Sequence, residues 1–250
     1  MTLPTYLPTL EDNSWATIAA AAKEGVASST WTVGDTKTLT IDGKTYTAII
    51  VAFNHDNLDS NDPNYQKASY NNGKAGYVHP AAITFMIKES LKQGTLPYDE
   101  NKWSSDSNYG GCYDELQIHT TFFPSIVSKM QSDVANNLKI CSIACGNSEL
   151  TSNYCTTVAT KMWLPSPCEL NVDPNNENLC GDAADVYPYF SAGNSIPFAP
   201  VWTRTNAMDN NYSDKDNQWN YIPKTTSTTF SKAWQSASSS NYHYMGIFCI

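Results

Sequence analysis

Residues 31–56 read W-T-V-G-D-T-K-T-L-T-I-D-G-K-T-Y-T-A-I-I-V-A-F-N-H-D, and no other run constrains the fold as tightly. Asp42-Gly43 sets two residues that tolerate positive φ between flanks of β-branched and aromatic side chains, 38–41 and 44–53, which is the signature of a type I′ β-hairpin. A second strand as apolar as 48–53 has to be covered, so the hairpin must belong to a packed sheet. Asn54, His55 and Asp56 then follow where the apolar strand runs out. Three polar side chains at such a point can present chemistry, although capping a turn is their commoner role.

With 41% hydrophobic residues the chain can build a core, while only 16% are charged. Neutral Asn, Ser, Thr and Tyr therefore carry much of the surface, a composition suited to an extracellular or particle-borne protein. The net charge is -9 and the 15 basic residues form no run. Nucleic-acid binding is therefore not expected, and neither is binding to an anionic membrane through a basic patch. No apolar stretch approaches the length of a membrane span, so no membrane insertion is expected. Residues 1–10, M-T-L-P-T-Y-L-P-T-L, lack a basic start and carry prolines where a leader would be helical, so the chain is expected to fold where it is made.

Ser14 is a candidate N-cap for a helix whose inner face is Trp15, Ile18, Ala19 and Ala22 and whose stop is Gly25. Residues 57–76 are polar and aperiodic and read as a surface loop. I-T-F-M-I from Ile83 reads as a strand, and a short helix is possible through Tyr113, Leu116 and Gln117. Pro124 opens a helix carrying Ile126, Val127, Met130, Val134 and Leu138 at three- and four-residue spacing. Residues 139–145 and 156–164 read as strands. Short apolar islands follow at Val201, at Gln218 and at the terminal M-G-I-F-C-I, the last expected to close a sheet. With no repeats and no flexible linker, the reading is an extended N-terminal arm over 1–13 and a single α+β domain over 14–250.

Seven cysteines, Cys112, Cys141, Cys145, Cys155, Cys168, Cys180 and Cys249, are an odd number in a chain without a visible export signal, so a disulfide scaffold is not the default. Buried free thiols are expected, with a Cys141–Cys145 or Cys145–Cys155 bridge as the alternative. The C-x-x-x-C spacing lacks a second half, so no zinc site is expected. His55, His79, His119 and His243 are scattered, and no nucleophile-elbow, zincin or phosphate-loop motif occurs. Glu169 and Arg204 each follow an apolar, Trp-containing run and are read as a structural ion pair. Asp209, Asn211, Asp214 and Asp216 offer oxygen donors, but the loop has neither the glycine nor the closing glutamate of an EF-hand, so no metal is expected. With Tyr212, Asn241, Tyr242 and Tyr244 they form a candidate recognition surface, because Tyr supplies rigid amphipathic area and Asn adaptable hydrogen bonds.

Several separated motifs resemble those of a domain-of-unknown-function family found in bacterial surface proteins and tailed-phage genomes. They are the helix start at Trp15, W-T-V-G-D-T-K at Trp31, F-N-H-D at Phe53, I-T-F-M-I at Ile83, G-G-C-Y-D at Gly110, M-W-L-P-S-P-C-E-L at Met162, Y-P-Y-F at Tyr187, W-T-R-T at Trp202 and M-G-I-F-C-I at Met245. They span nearly the whole chain. The resemblance implies a fold similar to the C-type-lectin fold, with small twisted antiparallel sheets, flanking helices and long polar loops, and a tailed-phage virion as the setting. A copper-dependent oxidase with paired cysteines shares that fold, but the spacing of Cys141, Cys145 and Cys249 carries no signature of it. The expected role is non-enzymatic: head decoration, head fibre or tail-associated display, without cofactor. Its partners would be other virion proteins, a second copy of the chain, or a host-surface glycan or protein. A bacterial surface adhesion module is the alternative, and an enzyme ranks below both.

Overall fold

Asp42 and Gly43 take φ of 51° and 73° and join β1 (Thr36–Ile41) to β2 (Lys44–Phe53), with Ile41 opposite Lys44. The turn chemistry thus sets the register expected of it. The computed structural model describes residues 5–65, 80–94, 117–146, 155–172, 185–206, 218–226, 231–234 and 242–250. Within them the further strands are β3 (Ile83–Ile87), β4 (Lys92–Gln93), β5 (Cys141–Gly146), β6 (Cys155–Thr160), β7 (Val201–Asn206), β8 (Gln218–Ile222), β9 (Ser231–Trp234), β10 (His243–Tyr244) and β11 (Ile247–Cys249). The helices are α1 (Trp15–Lys23), α2 (Ala27–Thr30), α3 (Phe123–Lys129), α4 (Ser132–Ala135) and α5 (Pro188–Ser191). The protein is α+β, with small sheets that are antiparallel except where β10 meets β7.

The first sheet has the order β1-β2-β3-β11. All five residues of β3 are buried, so I-T-F-M-I is a strand covered on both faces and its lack of alternation follows from that. A bulge between Ile50 and Ala52 bends β2 against β3 just before the chain reaches Asn54. The outer edge of β11 is occupied. Trp163 and Ile247 exchange backbone hydrogen bonds of 3.0 and 2.9 Å, and the Lys139 N–H donates to the Cys249 carbonyl at 3.0 Å.

Helix α1 covers this sheet. The Ser14 hydroxyl accepts from the Thr17 N–H at 3.1 Å, Gly25 takes φ 73° just past the end, and Trp15, Ile18, Ala21 and Ala22 are buried. Trp15 lies edge-on to Phe85 at 5.3 Å and tilted to Phe248 at 6.3 Å. Its indole N–H donates to the Thr38 carbonyl at 3.0 Å. Residues 5–13 of the arm read from sequence lie against the same domain. Leu10 is buried, Tyr6 packs on Trp31, the Trp31 indole donates to the Leu7 carbonyl, and the Asn13 amide pairs with both backbone groups of Leu7.

The single helix expected from Pro124 is divided. A π-helical turn, Ile118–Phe122, precedes α3, and the chain turns extended at Met130, with φ -65° and ψ 151°, before α4. The exposed edge of the hairpin causes the break. Asp42 N–H donates to the Lys129 carbonyl at 3.0 Å, Gln131 N–H donates to the Thr40 carbonyl at 3.0 Å, and the Thr40 N–H returns a bond to Gln131 Oε1 at 2.9 Å. Met130 joins the sheet edge opposite Ile41. Tertiary capture of a bare strand edge outweighs continued helical periodicity.

The second sheet has the order β4-β10-β7-β8-β9, and β5 and β6 form a separate hairpin. Asn206 pairs with Trp219, and Gln218 with Trp234, so β7 and β9 finish at one end of this sheet. Cys168 is disulfide-bonded, whereas Cys141 and Cys249 are free and buried. Cys141 and Cys249 are thus the buried free thiols expected, which leaves no Cys141–Cys145 bridge, while at Cys168 the expectation of a free thiol is corrected. Cys141 enters the core from β5, opposite Thr160 of β6.

Candidate functional site

The polar residues after β2 turn inward. Asn54 takes φ 51°, a conformation that Asn tolerates better than most residues, and the chain reverses so that Asp56 is buried at 6% exposure. Its carbonyl accepts the Ala81 N–H at 2.7 Å. The carboxylate accepts the Thr84 hydroxyl at 2.6 Å and the Tyr187 hydroxyl at 3.3 Å, with the Cys249 thiol 3.9 Å away. Thr84 Oγ1 also lies 3.3 Å from Cys249 Sγ. A carboxylate removed from water needs such donors, since unpaired it would be strongly destabilising. Burial raises Cys249 well above the usual thiol range, helped by the adjoining Cys141 and by Asp56. Burial likewise raises the Tyr187 phenol, with the Asp56 and Glu169 carboxylates adding to the shift and Arg204 opposing it. Both groups therefore stay protonated and act as donors.

A second charged group adjoins the first through Tyr187, whose N–H donates to the Glu169 carbonyl at 3.0 Å. Glu169 and Arg204 form the expected ion pair, and it is bidentate. NH1 reaches Oε2 at 2.6 Å and NH2 reaches Oε1 at 2.7 Å, while the two residues are only 2% and 1% exposed. Nε donates to the Ala144 carbonyl and NH1 also to the Leu164 carbonyl, each at 3.0 Å. Glu169 Oε2 also accepts the Ser166 N–H at 2.9 Å. Arg204 thereby ties β5, the 164–169 turn and β7 to one buried planar contact.

His55 sits at the margin of the cluster. Its ring stacks obliquely on Tyr187 at 4.6 Å, and Nδ1 lies 3.5 Å from Asp56 Oδ1, long for a formed hydrogen bond but close for an ion pair. Burial pulls the imidazole pKa down, yet the Asp56 carboxylate, joined by Glu169 and Asp185, more than offsets it and the net shift is upward. With a folded pKa above the unfolded value of about 6.5, protonated His55 stabilises the fold. That contribution is complete below the unfolded value and is lost as pH rises through the folded one. The urea midpoint of the wild type relative to His55→Gln should therefore fall as pH is raised from 6 through the raised value. A difference independent of pH would refute the assignment.

Carboxylate, imidazole, phenol and thiol are all groups that perform catalysis elsewhere. Here Thr84, Tyr187, Cys141 and Cys249 are 0% exposed, and the most open member, His55, has a side chain 14% exposed. The arrangement orients chain segments from β2, β3, β5, β11 and the 185–187 stretch. Among the described residues, no three His, Cys, Asp or Glu side chains converge to hold a metal, and no helix is long and apolar enough to cross a membrane.

Of the recognition residues proposed from sequence, Asp209, Asn211, Tyr212, Asp214, Asp216 and Asn241 lie outside the described residues. Tyr242 and Tyr244 are buried, at 8% and 1% exposure. Tyr242 stacks on Trp202 at 4.3 Å, and Tyr244 packs edge-on to Phe122 at 5.3 Å, its hydroxyl pKa raised by burial to about 12. These two rings serve packing. The sealed cluster itself was not assembled from sequence, although F-N-H-D, I-T-F-M-I, Y-P-Y-F, W-L-P-S-P-C-E, W-T-R-T and G-I-F-C-I each supply a member. Compared with models of known protein families, with curated proteins and with solved structures, the chain finds no match in any of the three.

Proposed function

We propose that the chain is a non-enzymatic display protein of a tailed-phage virion, a head decoration, head fibre or tail-associated component with a C-type-lectin-like body. The observation that carries this reading is the burial of Asp56, Thr84, Tyr187, Cys141 and Cys249, with His55 alone partly open, which favours a structural centre. Two polar segments, 207–217 and 235–241, leave from the shared end of β7 and β9. They hold Asp209, Asn211, Tyr212, Asp214, Asp216 and Asn241, the residue types that suit an adaptable contact with a host-surface glycan or protein. The motif resemblance gives the virion setting, and other virion proteins or a second copy of the chain are the structural partners.

A bacterial surface adhesion module is the second reading, favoured by one observation. Cys168 is disulfide-bonded, and disulfides persist mainly in oxidising surroundings. Immunogold labelling of purified particles and of intact host cells separates the two. Label on particles is the expected result. Label confined to the cell envelope favours the second reading, and label on neither defeats both.

A further inference from the structure

We infer that the outer edge of β6 and the groove beside it form a docking site for an extended, acidic peptide segment of a partner protein, which adds to β6 as a further strand. The site lies apart from the loops assigned to display and does not depend on that reading.

The register of the β5–β6 hairpin decides which backbone groups are open. Ser142 N–H donates to the Asn57 carbonyl at 2.9 Å, and the Ala144 carbonyl accepts the Arg204 Nε–H at 3.0 Å. Ser142 and Ala144 thus turn their backbone groups away from β6, and their cross-strand partners are Ala159 and Thr157. Opposite residues of an antiparallel pair either exchange both bonds or turn both sets outward, so the N–H and carbonyl groups of Thr157 and Ala159 face away from β5. Among the described residues no strand lies on that side, and no backbone bond reaches either residue there. Thr157 and Ala159 are exposed, whereas Val158 and Thr160 between and beside them are buried. An unpaired edge of this kind is a template for another chain.

The edge borders a groove of about 550 Å³, lined by Ala159 to Met162 on one side and by the π-helical turn and α3 on the other. Phe123 and Met162, 1% and 0% exposed, give it an apolar floor, and Val127 follows Phe123 by one helical turn on the same face. A strand edge and a helix lining one apolar groove suit strand addition, in which main-chain bonds supply affinity and alternate side chains enter the groove. The ionisable lining residues are His119 and Lys161, and none is acidic, although the chain carries a net charge of -9. Lys161 forms no ion pair among the described residues. An acidic side chain on the incoming segment is therefore matched here and disfavoured by the protein's overall charge elsewhere. A second copy offers no such match through its own β6, since C-T-T-V-A-T is followed by Lys161 and holds no acidic residue.

The test uses the full chain and a library of acetylated, amidated hexapeptides built from Val, Ile, Thr and Phe with a single Glu, titrated up to about 1 mM. Members of the library should bind. In the strongest, methylating one backbone nitrogen at a time should weaken binding about tenfold at every second position and little between them. Ala159→Pro removes an outward N–H and spares the bonds to β5, so it should weaken binding by a similar factor with the unfolding temperature little changed. Lys161→Glu should weaken binding roughly tenfold and shift preference to the same peptide with Lys in place of Glu. No binding by any member, methylation effects without alternation, or indifference to either substitution overturns the inference. A dimer in sedimentation that Ala159→Pro dissociates would give the edge to a second copy and overturn it as well. The methylation series needs only the wild type, so it decides even if Ala159→Pro fails to fold.

Discussion

Arg204→Met should cost about 3–5 kcal/mol of folding stability, the range for breaking a buried ion pair by removing one partner. The substitution strands Glu169, 2% exposed, with only the Ser166 N–H as a donor to its carboxylate, and it leaves the Ala144 and Leu164 carbonyls without the guanidinium. Glu169→Leu combined with Arg204→Met removes both charges together, so the double variant should recover a large part of the loss. A buried pair is costly to desolvate, and apolar replacement of both members is often close to neutral. Urea denaturation of the two single variants and the double variant measures this as a cycle. Additive losses would show that the two residues do not act as a pair.

Trp15→Ala should cost a similar amount, about 3–5 kcal/mol, because an aromatic truncation in a core loses both transfer energy and packing. Trp15 is 2% exposed and is the contact by which α1 reaches Phe85 and Phe248. Trp15→Phe keeps most of that area and loses the indole bond to Thr38, worth about 1 kcal/mol net. The ordering wild type, then Trp15→Phe, then Trp15→Ala in thermal unfolding is the expected outcome. Equal losses in the two variants would mean that the hydrogen bond, rather than the packed area, holds the helix.

What the sequence makes legible here is local. Asp42-Gly43 dictates its hairpin and Ser14 with Gly25 brackets its helix, since both are set by backbone chemistry within a few residues. The ion pair was legible for a different reason: Glu169 and Arg204 each follow a Trp-containing run that had to be buried, and each needed an opposite charge. The Met130 break was not legible, because the competing partner is the Thr40 edge, whose bond to Gln131 spans 91 positions. The sealed cluster was hidden in the same way. Asp56 meets Thr84, Tyr187 and Cys249 across 28, 131 and 193 positions, and no periodicity encodes such meetings. His55 and Asp56 were singled out as polar residues at a strand end, but their direction, inward to the core, depends on the turn at Asn54 and on partners supplied much later in the chain.

The pairing of Thr84 with Cys249 across 165 positions also bears on the order in which the molecule assembles. The β1–β2 hairpin can close early, since its ends are neighbours, and β3 can join it soon afterward. β11 has to wait until nearly all of the intervening chain has been synthesised and brought back. Until then Ile83, Phe85 and Ile87 carry an unpaired strand edge, the kind of surface that captures strands from other chains. Contacts of such separation place folding toward the slow end for domains of comparable size. During synthesis the vulnerable species is therefore a three-stranded intermediate, and the late arrival of β11, with Lys139 and Trp163 covering its outer side, removes the open edge and ends the risk of misassembly there.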